Sequence, residues 1–235
     1  MTDCKTENKL ICFEDGSYIE LIAFINDLPQ HRAGHHWGDK KSGIIDFALT
    51  SDEEAGTYWE GLNERLEKSG VSERYKHPAA GGRLRDDGIE VRWQVTFPPE
   101  MMQRGEVPFL CHDVTARELR APVTKEALTH PCGAYGLKNL SVILPLERIA
   151  YLEKVYAALL NVPHDPGSGA VFTAGRVRAV GREGIDDVTI RVHGPSGKRQ
   201  EDFLAERGAL IGEMVFGGVN VADGTETFAP LDSWA

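Results

Sequence analysis

The feature that most constrains the fold of this chain is a pattern of predicted elements that recurs after roughly 80 residues. Residues 43–115 indicate a strand, a helix and three more strands, and residues 130–217 indicate the same order. Residues 6–25 match only the last hairpin of such a unit. Because units of this kind bury their apolar faces against each other, the sequence predicts an α+β fold in which βαβββ modules form a curved mixed sheet. The first module is expected to be truncated.

Two stretches carry the apolar spacing of an amphipathic helix. The first covers residues 52–69, with Ser51 and Asp52 as the expected cap, and the second covers residues 145–161. Alternating apolar residues at 89–97 predict a strand with one buried face. We expect this strand and the first helix to pack together, with Trp59, Leu62 and Leu66 against Val91, Trp93 or Phe97.

The spacing of the predicted elements divides the chain into three parts. Residues 1–120 form the first domain, with the partial module at 6–25 and a complete module at 43–115. Residues 130–217 form the third module, in which the runs GRVRAV, VTIRVHG and LIGEMVFG are expected to be strands. Residues 218–235 are expected to form a C-terminal tail.

The composition limits the kinds of partner. With 26 Lys and Arg against 36 Asp and Glu, the formal net charge is −10, which disfavours a nucleic-acid partner. No apolar run is long enough to cross a bilayer, the N-terminus has no signal-peptide core, and the cysteines form no CxxC pair. Gly81-Gly82 lacks the strand-to-helix context of a phosphate loop, so no nucleotide cofactor is expected. These features predict a cytoplasmic protein with a small-molecule substrate and no membrane partner.

Three polar residues interrupt otherwise apolar strands: Glu20, Asp46 and His112. A buried carboxylate without a partner is costly, so each predicts a counter-charge, a shifted pKa or a metal. Carboxylates and an imidazole that converge on one cavity would suit Zn, Fe(II) or Mn. The alternative is that each residue faces solvent at a sheet edge. On the polar face of the strand at 89–97, Arg92 and Gln94 are candidates for binding substrate oxygens.

Several longer motifs point to a known family. TENKLICFEDGSYIELIAF, HHWGDKKSGIIDFALT, GRLRDDGIEVRWQVTFP, PFLCHDVT and HPCGAYGL together resemble the glyoxalase-like domain proteins of fungi and bacteria. These belong to the vicinal oxygen chelate superfamily, which includes glyoxalase I, extradiol dioxygenases and bleomycin-resistance proteins. The resemblance extends from residue 6 to about residue 145. It implies paired βαβββ modules that curl around a divalent metal, to which substrates bind through neighbouring oxygens.

The resemblance also implies roles for the three polar strand residues. Glu20 matches the last-strand acid of the first module, while Asp46 and His112 fall near the first-strand and last-strand ligands of the second. Glu20, Asp46 and His112 are therefore the expected metal ligands, and Glu20 and His112 the expected catalytic residues. Family members carry a further His on a strand and helix that would precede Thr6. Their absence from this sequence is expected to weaken metal binding, and it leaves open a homodimer that supplies the missing edge strand.

Two classes of function follow. The first is a metal-dependent lyase, isomerase or dioxygenase that acts on a small oxygenated metabolite. The second is a metal-free protein that binds a small molecule in the same cleft, or a pseudoenzyme with the same fold. Stoichiometric metal in the purified protein would distinguish the first class from the second.

Overall fold

The computed structural model describes residues 5–164, 171–177, 185–219 and 226–232. Within these ranges the chain forms an N-terminal hairpin, a four-stranded sheet and a five-stranded sheet. Both larger sheets contain parallel and antiparallel pairs, and helices pack against them. The predicted α+β class is therefore confirmed. None of the helices in the described ranges is long and apolar enough to span a bilayer.

The N-terminal hairpin consists of β1 (Thr6–Cys12) and β2 (Tyr18–Phe24), which pair antiparallel. Gly16 in its turn has a φ of 80°, a conformation that glycine adopts without strain. The carboxylate of the preceding residue, Asp15, is almost fully buried. It accepts hydrogen bonds from Ser17 N at 2.8 Å, Ser17 Oγ at 2.6 Å and Leu137 N at 2.8 Å. The turn is thus fixed against a strand of the five-stranded sheet. A short helix, α1 (Pro29–Arg32), follows the hairpin.

The second unit has the predicted βαβββ order. It comprises β3 (Ala48–Leu49), α2 (Ala55–Lys68), β4 (Ala79–Leu84), β5 (Glu90–Thr96) and β6 (Phe109–Asp113). The strand order is β3-β6-β5-β4, with β3 parallel to β6 and the other neighbours antiparallel. The first strand of the unit therefore lies at an edge of the sheet, beside the last strand.

Two elements of this unit differ from the sequence-based expectation. The first strand of the unit is short: its ladder with β6 covers Ala48–Leu49, and just before it the Asp46 carboxylate accepts a hydrogen bond from the backbone N–H of Phe47 at 3.0 Å. Strand β4 lies in a glycine-rich segment, which strand propensity does not indicate as a strand. A Cβ at Gly81 would clash with the Trp93 indole, so only glycine allows this strand to pass the aromatic ring.

The third unit begins after a short helix, α3 (Lys125–Leu128). It comprises β7 (Ala134–Ile143), α4 (Leu146–Leu160), β8 (Val171–Gly175), β9 (Val188–His193), α5 (Lys198–Arg207), β10 (Leu210–Val219) and β11 (Glu226–Asp232). The order in the sheet is β11-β10-β7-β9-β8. The unit without β11 is a βαββαβ arrangement in which the first strand is central, and it differs from the predicted βαβββ run by the insertion of α5.

The elements near the C-terminus modify two further expectations. The run GRVRAV was predicted as a strand, but β8 ends at Gly175, and residues 178–180 lie outside the described ranges. The expected tail at 218–235 contains β11, which pairs antiparallel with β10. The domain bounds proposed from the sequence remain a prediction.

Helices α2 and α4 pack on each other and share one hydrophobic core. Both predicted helices are confirmed, although α2 starts at Ala55 and is capped by Glu54 rather than by Ser51 and Asp52. Leu62 and Leu66 of α2 are fully buried. They cluster with Leu110 of β6 and with α4, not with the expected face of β5 formed by Val91, Trp93 and Phe97. Trp59 is partly buried at the margin of this core.

Candidate functional site

A cleft of about 1890 Å³ runs along the free edge of β6. Its walls are the hairpin, the loop that precedes α2, the end of β6, and parts of the five-stranded sheet. Because the β3 ladder ends where Leu49 pairs with Leu110, no described strand pairs with Cys111–Asp113 on that side. The cleft therefore reaches both faces of β6. Its volume exceeds the roughly 300–1,000 Å³ of a typical small-molecule pocket, so one ligand would fill only part of it.

The pairing register decides which face each residue of β6 presents. Gln94 lies opposite His112, and Trp93 lies opposite Asp113. Directly opposed residues of an antiparallel pair share a face, and successive residues alternate. His112 and Gln94 are therefore on the face that packs against α2. There the centroids of the His112 and Tyr58 rings are 5.3 Å apart. Asp113 lies on the opposite face.

On that opposite face, Asp113 is the centre of a charged network. Arg120 donates to it twice, from Nε to Oδ1 at 2.7 Å and from Nη2 to Oδ2 at 3.0 Å. Arg117 donates from Nη1 to Oδ2 at 2.9 Å. This bidentate, nearly buried geometry is the strong form of an ion pair. With two guanidinium groups and one carboxylate, the network carries one net positive charge.

The same network fixes Tyr18 of the hairpin beside the four-stranded sheet. Arg120 Nη1 donates to the Tyr18 hydroxyl at 2.6 Å, and Arg117 Nη2 donates to the carbonyl of Gly16 at 2.9 Å. Both guanidinium groups also lie over the Tyr18 ring, 5.5 and 5.6 Å from its centroid. The orientation of the Tyr18 hydroxyl in the cleft is therefore set by two residues that follow β6.

Burial and charge determine the protonation states in the network. Burial raises the pKa of Tyr18, so its hydroxyl is neutral at pH 7 and can donate a hydrogen bond. Among the hydrogen bonds formed by the described residues, the Tyr18 hydroxyl takes part as the acceptor from Arg120 Nη1. Burial alone would raise the pKa of Asp113, but the hydrogen bonds and charges of Arg120 and Arg117 outweigh it and lower that pKa. The carboxylate is therefore ionised at neutral pH.

Glu20, the first predicted ligand, is an exposed residue of β2 that lines the cleft. Its carboxylate accepts a hydrogen bond from the Asn8 side-chain amide. It shares a strand face with Tyr18 and is close enough to Cys111 to influence that thiol. Burial raises the pKa of the Cys111 thiol, which disfavours a nucleophilic thiolate.

Asp46, the second predicted ligand, is buried and already bonded. Its carboxylate accepts from Trp37 Nε1 at 2.9 Å and from Arg104 Nη1 at 3.2 Å. Burial raises the pKa of Asp46, and these contacts with Trp37 and Arg104 act against that rise. The guanidinium of Arg104 also stacks on the Phe97 ring, 4.1 Å from its centroid. The residue is the anchor of a structural cluster at the base of β3.

His112, the third predicted ligand, is almost fully buried. Its Nε2 lies 3.0 Å from Ser51 Oγ, while its Nδ1 has no hydrogen-bond partner in the described part of the chain. Burial lowers the pKa of His112, so the imidazole is neutral at pH 7. The nearby carboxylates of Glu54, Asp113 and Glu53 oppose this shift.

The three predicted ligands do not converge on one point. Glu20 is on the Tyr18 side of β6, His112 is on the α2 side, and Asp46 is occupied by Arg104 and Trp37. Across the described ranges, no group of three or more His, Cys, Asp or Glu side chains could hold a metal. The residue set Glu20, Asp46 and His112 therefore does not fit a shared metal ion in this arrangement.

The candidate residues for substrate binding are better grouped. Arg92 and Gln94 share the face of His112, and all three line the cleft. Sequence reasoning missed Tyr18, Asp113, Arg117 and Arg120. A usable signal was present, since two arginines follow the strand within seven residues of Asp113 and an acidic strand terminus predicts a basic partner.

The βαβββ unit, with its cleft beside the last strand, defines a glyoxalase-like class of α+β protein. The sequence model for the glyoxalase-like domain matches residues 1–160. The chain belongs to this family. No curated protein matches it. A crystal structure of a hypothetical protein from Staphylococcus aureus is similar in fold, with a TM-score of 0.52 and 13% sequence identity over 82% of this chain and 73% of that one.

Proposed function

We propose that the chain binds a small oxygenated molecule in the cleft, through hydrogen bonds from its own side chains. The observation that carries this proposal is the Tyr18 hydroxyl, which accepts from Arg120 at 2.6 Å and keeps its own proton for a ligand. A hydroxyl polarised by a guanidinium is a strong donor to a carbonyl or carboxylate oxygen. The function is that of a binding protein for small ketoacids, hydroxyacids or phenols.

Charge supports an oxygen-rich ligand over an apolar one. The network around Asp113 has one net positive charge, and it faces the cleft together with the Glu20 carboxylate, within a protein whose net charge is −10. A hydrogen bond that involves a charged group contributes about 1.5–3 kcal/mol. Arg117 retains N–H groups beyond its two bonds, to Asp113 and to the Gly16 carbonyl, and these can reach a ligand anion.

A metal-dependent lyase, isomerase or dioxygenase is the second candidate. Membership of the glyoxalase-like family favours it. In that case the ligands would be a different set from the one predicted, because Glu20, Asp46 and His112 lie apart.

The test is calorimetric titration of the full chain with pyruvate, 2-oxoglutarate, lactate and catechol, before and after treatment with EDTA. We expect binding of at least one of these compounds that EDTA does not change. Tyr18→Phe keeps the ring but removes the hydroxyl, and about 1 kcal/mol of lost hydrogen bonding corresponds to roughly fivefold weaker binding. Tyr151→Phe is the control, because its hydroxyl bonds to Glu73 outside the cleft. Binding that EDTA abolishes and zinc or manganese restores would favour the second candidate.

A further inference from the structure

A serine and a histidine form a hydrogen-bonded pair at the α2 side of the cleft. Ser51 lies two residues beyond β3, in the loop that leads to α2, and its Oγ is 3.0 Å from His112 Nε2. Both residues line the cleft. A nucleophile within hydrogen-bond distance of an imidazole base is the arrangement that covalent acyl transfer requires.

The surroundings orient both partners. The backbone N–H of Glu53 donates to Ser51 Oγ at 3.3 Å, which leaves the hydroxyl proton to point at the imidazole. The His112 ring is held by its strand and by the Tyr58 ring at 5.3 Å. In a neutral imidazole, Nε2 is an acceptor when Nδ1 carries the proton. Nδ1 is buried and has no hydrogen-bond partner among the described residues, so in this part of the chain the Ser51 contact and the Tyr58 ring orient the imidazole without a carboxylate on Nδ1.

Acyl transfer also needs a hydrogen-bond donor for the developing oxyanion, and a third residue of the cleft can provide it. Gln94 lies directly opposite His112 on the same face and lines the cleft. No described residue forms a hydrogen bond with its side-chain amide. A side-chain amide that donates to a developing oxyanion is a recurrent feature of acyl-transfer sites. Arg92, next on this face, is exposed and can attract an anionic acyl group.

We propose that Ser51 and His112 form a nucleophile–base pair that hydrolyses small carboxylic esters, with Gln94 as the oxyanion donor. Ser51 Oγ forms a bond to the ester carbonyl carbon, and its proton passes to His112 Nε2. The carbon–oxygen bond to the alcohol breaks, and His112 returns the proton to that leaving group. Water then attacks the acyl-Ser51 ester, again losing its proton to His112, and releases the carboxylic acid with the serine restored. The site goes beyond the proposed binding function, because it uses different residues on the other face of β6.

The test measures hydrolysis of p-nitrophenyl acetate and p-nitrophenyl succinate by the full chain. We expect Ser51→Ala to lower the rate above buffer by at least about 100-fold, as loss of a base-assisted nucleophile does. Gln94→Ala is expected to lower it about tenfold or more while leaving the fold intact. The control is Ser69→Ala, whose hydroxyl bonds to the Leu66 carbonyl at the end of α2 and does not face the cleft. An unchanged rate in Ser51→Ala would overturn the proposal.

A second measurement does not depend on a variant that folds. The wild-type chain is treated with a fluorophosphonate, digested and mapped by mass spectrometry. Covalent label on the peptide that carries Ser51 supports the proposal, and label only on other residues, or none, contradicts it. Titration of the same oxoacids and phenols against Ser51→Ala separates the two ideas. If Ser51→Ala still binds these compounds, the loss of ester hydrolysis and the loss of binding are separate outcomes, so one proposal can fail while the other stands.

Discussion

The two larger sheets contain units that the sequence presents as equivalent, yet their first strands occupy opposite positions. In the four-stranded sheet, β3 lies at the edge and forms a two-residue ladder with β6. In the five-stranded sheet, β7 is central, with β10 on one side and β9 on the other. The short edge strand leaves the end of β6 accessible, whereas β7 pairs with β10 along its length and with β9 over Asn139–Ile143.

Polar residues behave differently in the two settings. On β7, the side chains of Asn139 and Ser141 bond to each other at 3.1 Å, and Asn139 also bonds to Thr189 on β9 at 2.9 Å. These groups are satisfied within the sheet. On β6, His112 and Asp113 line the cleft, and they bond to Ser51 and to two arginines that lie outside the strands of the sheet. A polar residue in a strand thus indicates a site only where the neighbouring ladder stops.

The largest difference between the sheets is expected in how much the loss of a charged pair lowers the free energy of unfolding. Asp113→Asn leaves the guanidinium of Arg120 buried without a counter-charge, and breaking a buried pair from one side costs about 3–5 kcal/mol. The matched change in the other sheet, Asp186→Asn, affects a pair with Lys138 whose carboxylate is 83% exposed, and such pairs contribute about 0–1 kcal/mol. Urea unfolding followed by circular dichroism measures both. Equal losses would show that the network on β6 is no stronger than a surface pair.

Substitutions in the shared core are expected to lower the free energy of unfolding by a smaller amount, which is the same for both units. Leu62→Ala in α2 and Leu152→Ala in α4 each remove a fully buried side chain from the core that the two helices share. Each should lower the free energy of unfolding by roughly 3 kcal/mol. Because the core is common, hydrogen exchange of peptides from β6 and from β9 should accelerate together in either variant. Acceleration confined to the unit that carries the substitution would indicate two independently stable halves.

The two Asp-Gly turns provide the next comparison. Asp15→Ala removes a carboxylate that accepts three hydrogen bonds and leaves Leu137 N buried, at a cost of about 1–3 kcal/mol per unsatisfied donor. Asp87→Ala, in the exposed turn between β4 and β5, removes a 3.2 Å bond from Ile89 N and a partly exposed ion pair with Arg85, and should cost about 0.2–1 kcal/mol. Thermal unfolding of the two variants ranks them. A larger loss for the exposed turn would contradict the docking of the hairpin.

The smallest effect is a difference in pH dependence. The folded-state pKa of Asp113 is lowered, so its stabilisation is present above the unfolded value of about 3.9 and is lost as pH falls through the folded pKa. Burial raises the pKa of Asp15, so the stability linked to its protonation is complete below about 3.9 and is lost as pH rises through the folded pKa. Between pH 6 and pH 3, the advantage of the wild type over Asp113→Asn should shrink, while its advantage over Asp15→Asn should grow. Parallel curves for the two variants would show that the two carboxylates have similar environments.

Local periodicity was sufficient for α2 and α4, because each has a continuous apolar stripe that the core covers. It failed for α5, in which no residue is buried, so the helix has no apolar stripe to detect. The composition of that segment, KRQEDFLAER, is rich in strong helix formers and would have predicted a helix by propensity.

To predict the site, one has to know which face of β6 is buried against α2, and the sequence of β6 does not show this. Leu110 and His112 lie on one face of β6, and Phe109, Cys111 and Asp113 lie on the other, so each face carries both apolar and polar residues. Alternation alone therefore cannot assign the buried side. The sequence left open whether Asp46 would meet a counter-charge, a shifted pKa or a metal, because Arg104, the cation beside it, is 58 residues away in the chain and only the tertiary fold brings it near.

The attachment of the hairpin has a mechanical consequence. At the turn of the hairpin, Asp15 accepts a hydrogen bond from Leu137 of β7, and Tyr18 accepts one from Arg120, which in turn binds Asp113 of β6. This end of the hairpin is therefore fixed to both sheets. The opposite end, near Thr6 and Phe24, is not paired to either larger sheet in the described chain. The backbone and polar contacts of the hairpin with the two sheets are thus concentrated at its turn, whereas at its other end Phe24 packs on the His35 ring and under the Arg32 guanidinium. Opening the mouth of the cleft would break these ring contacts but would leave the hydrogen bond of the Tyr18 hydroxyl to Arg120 in place.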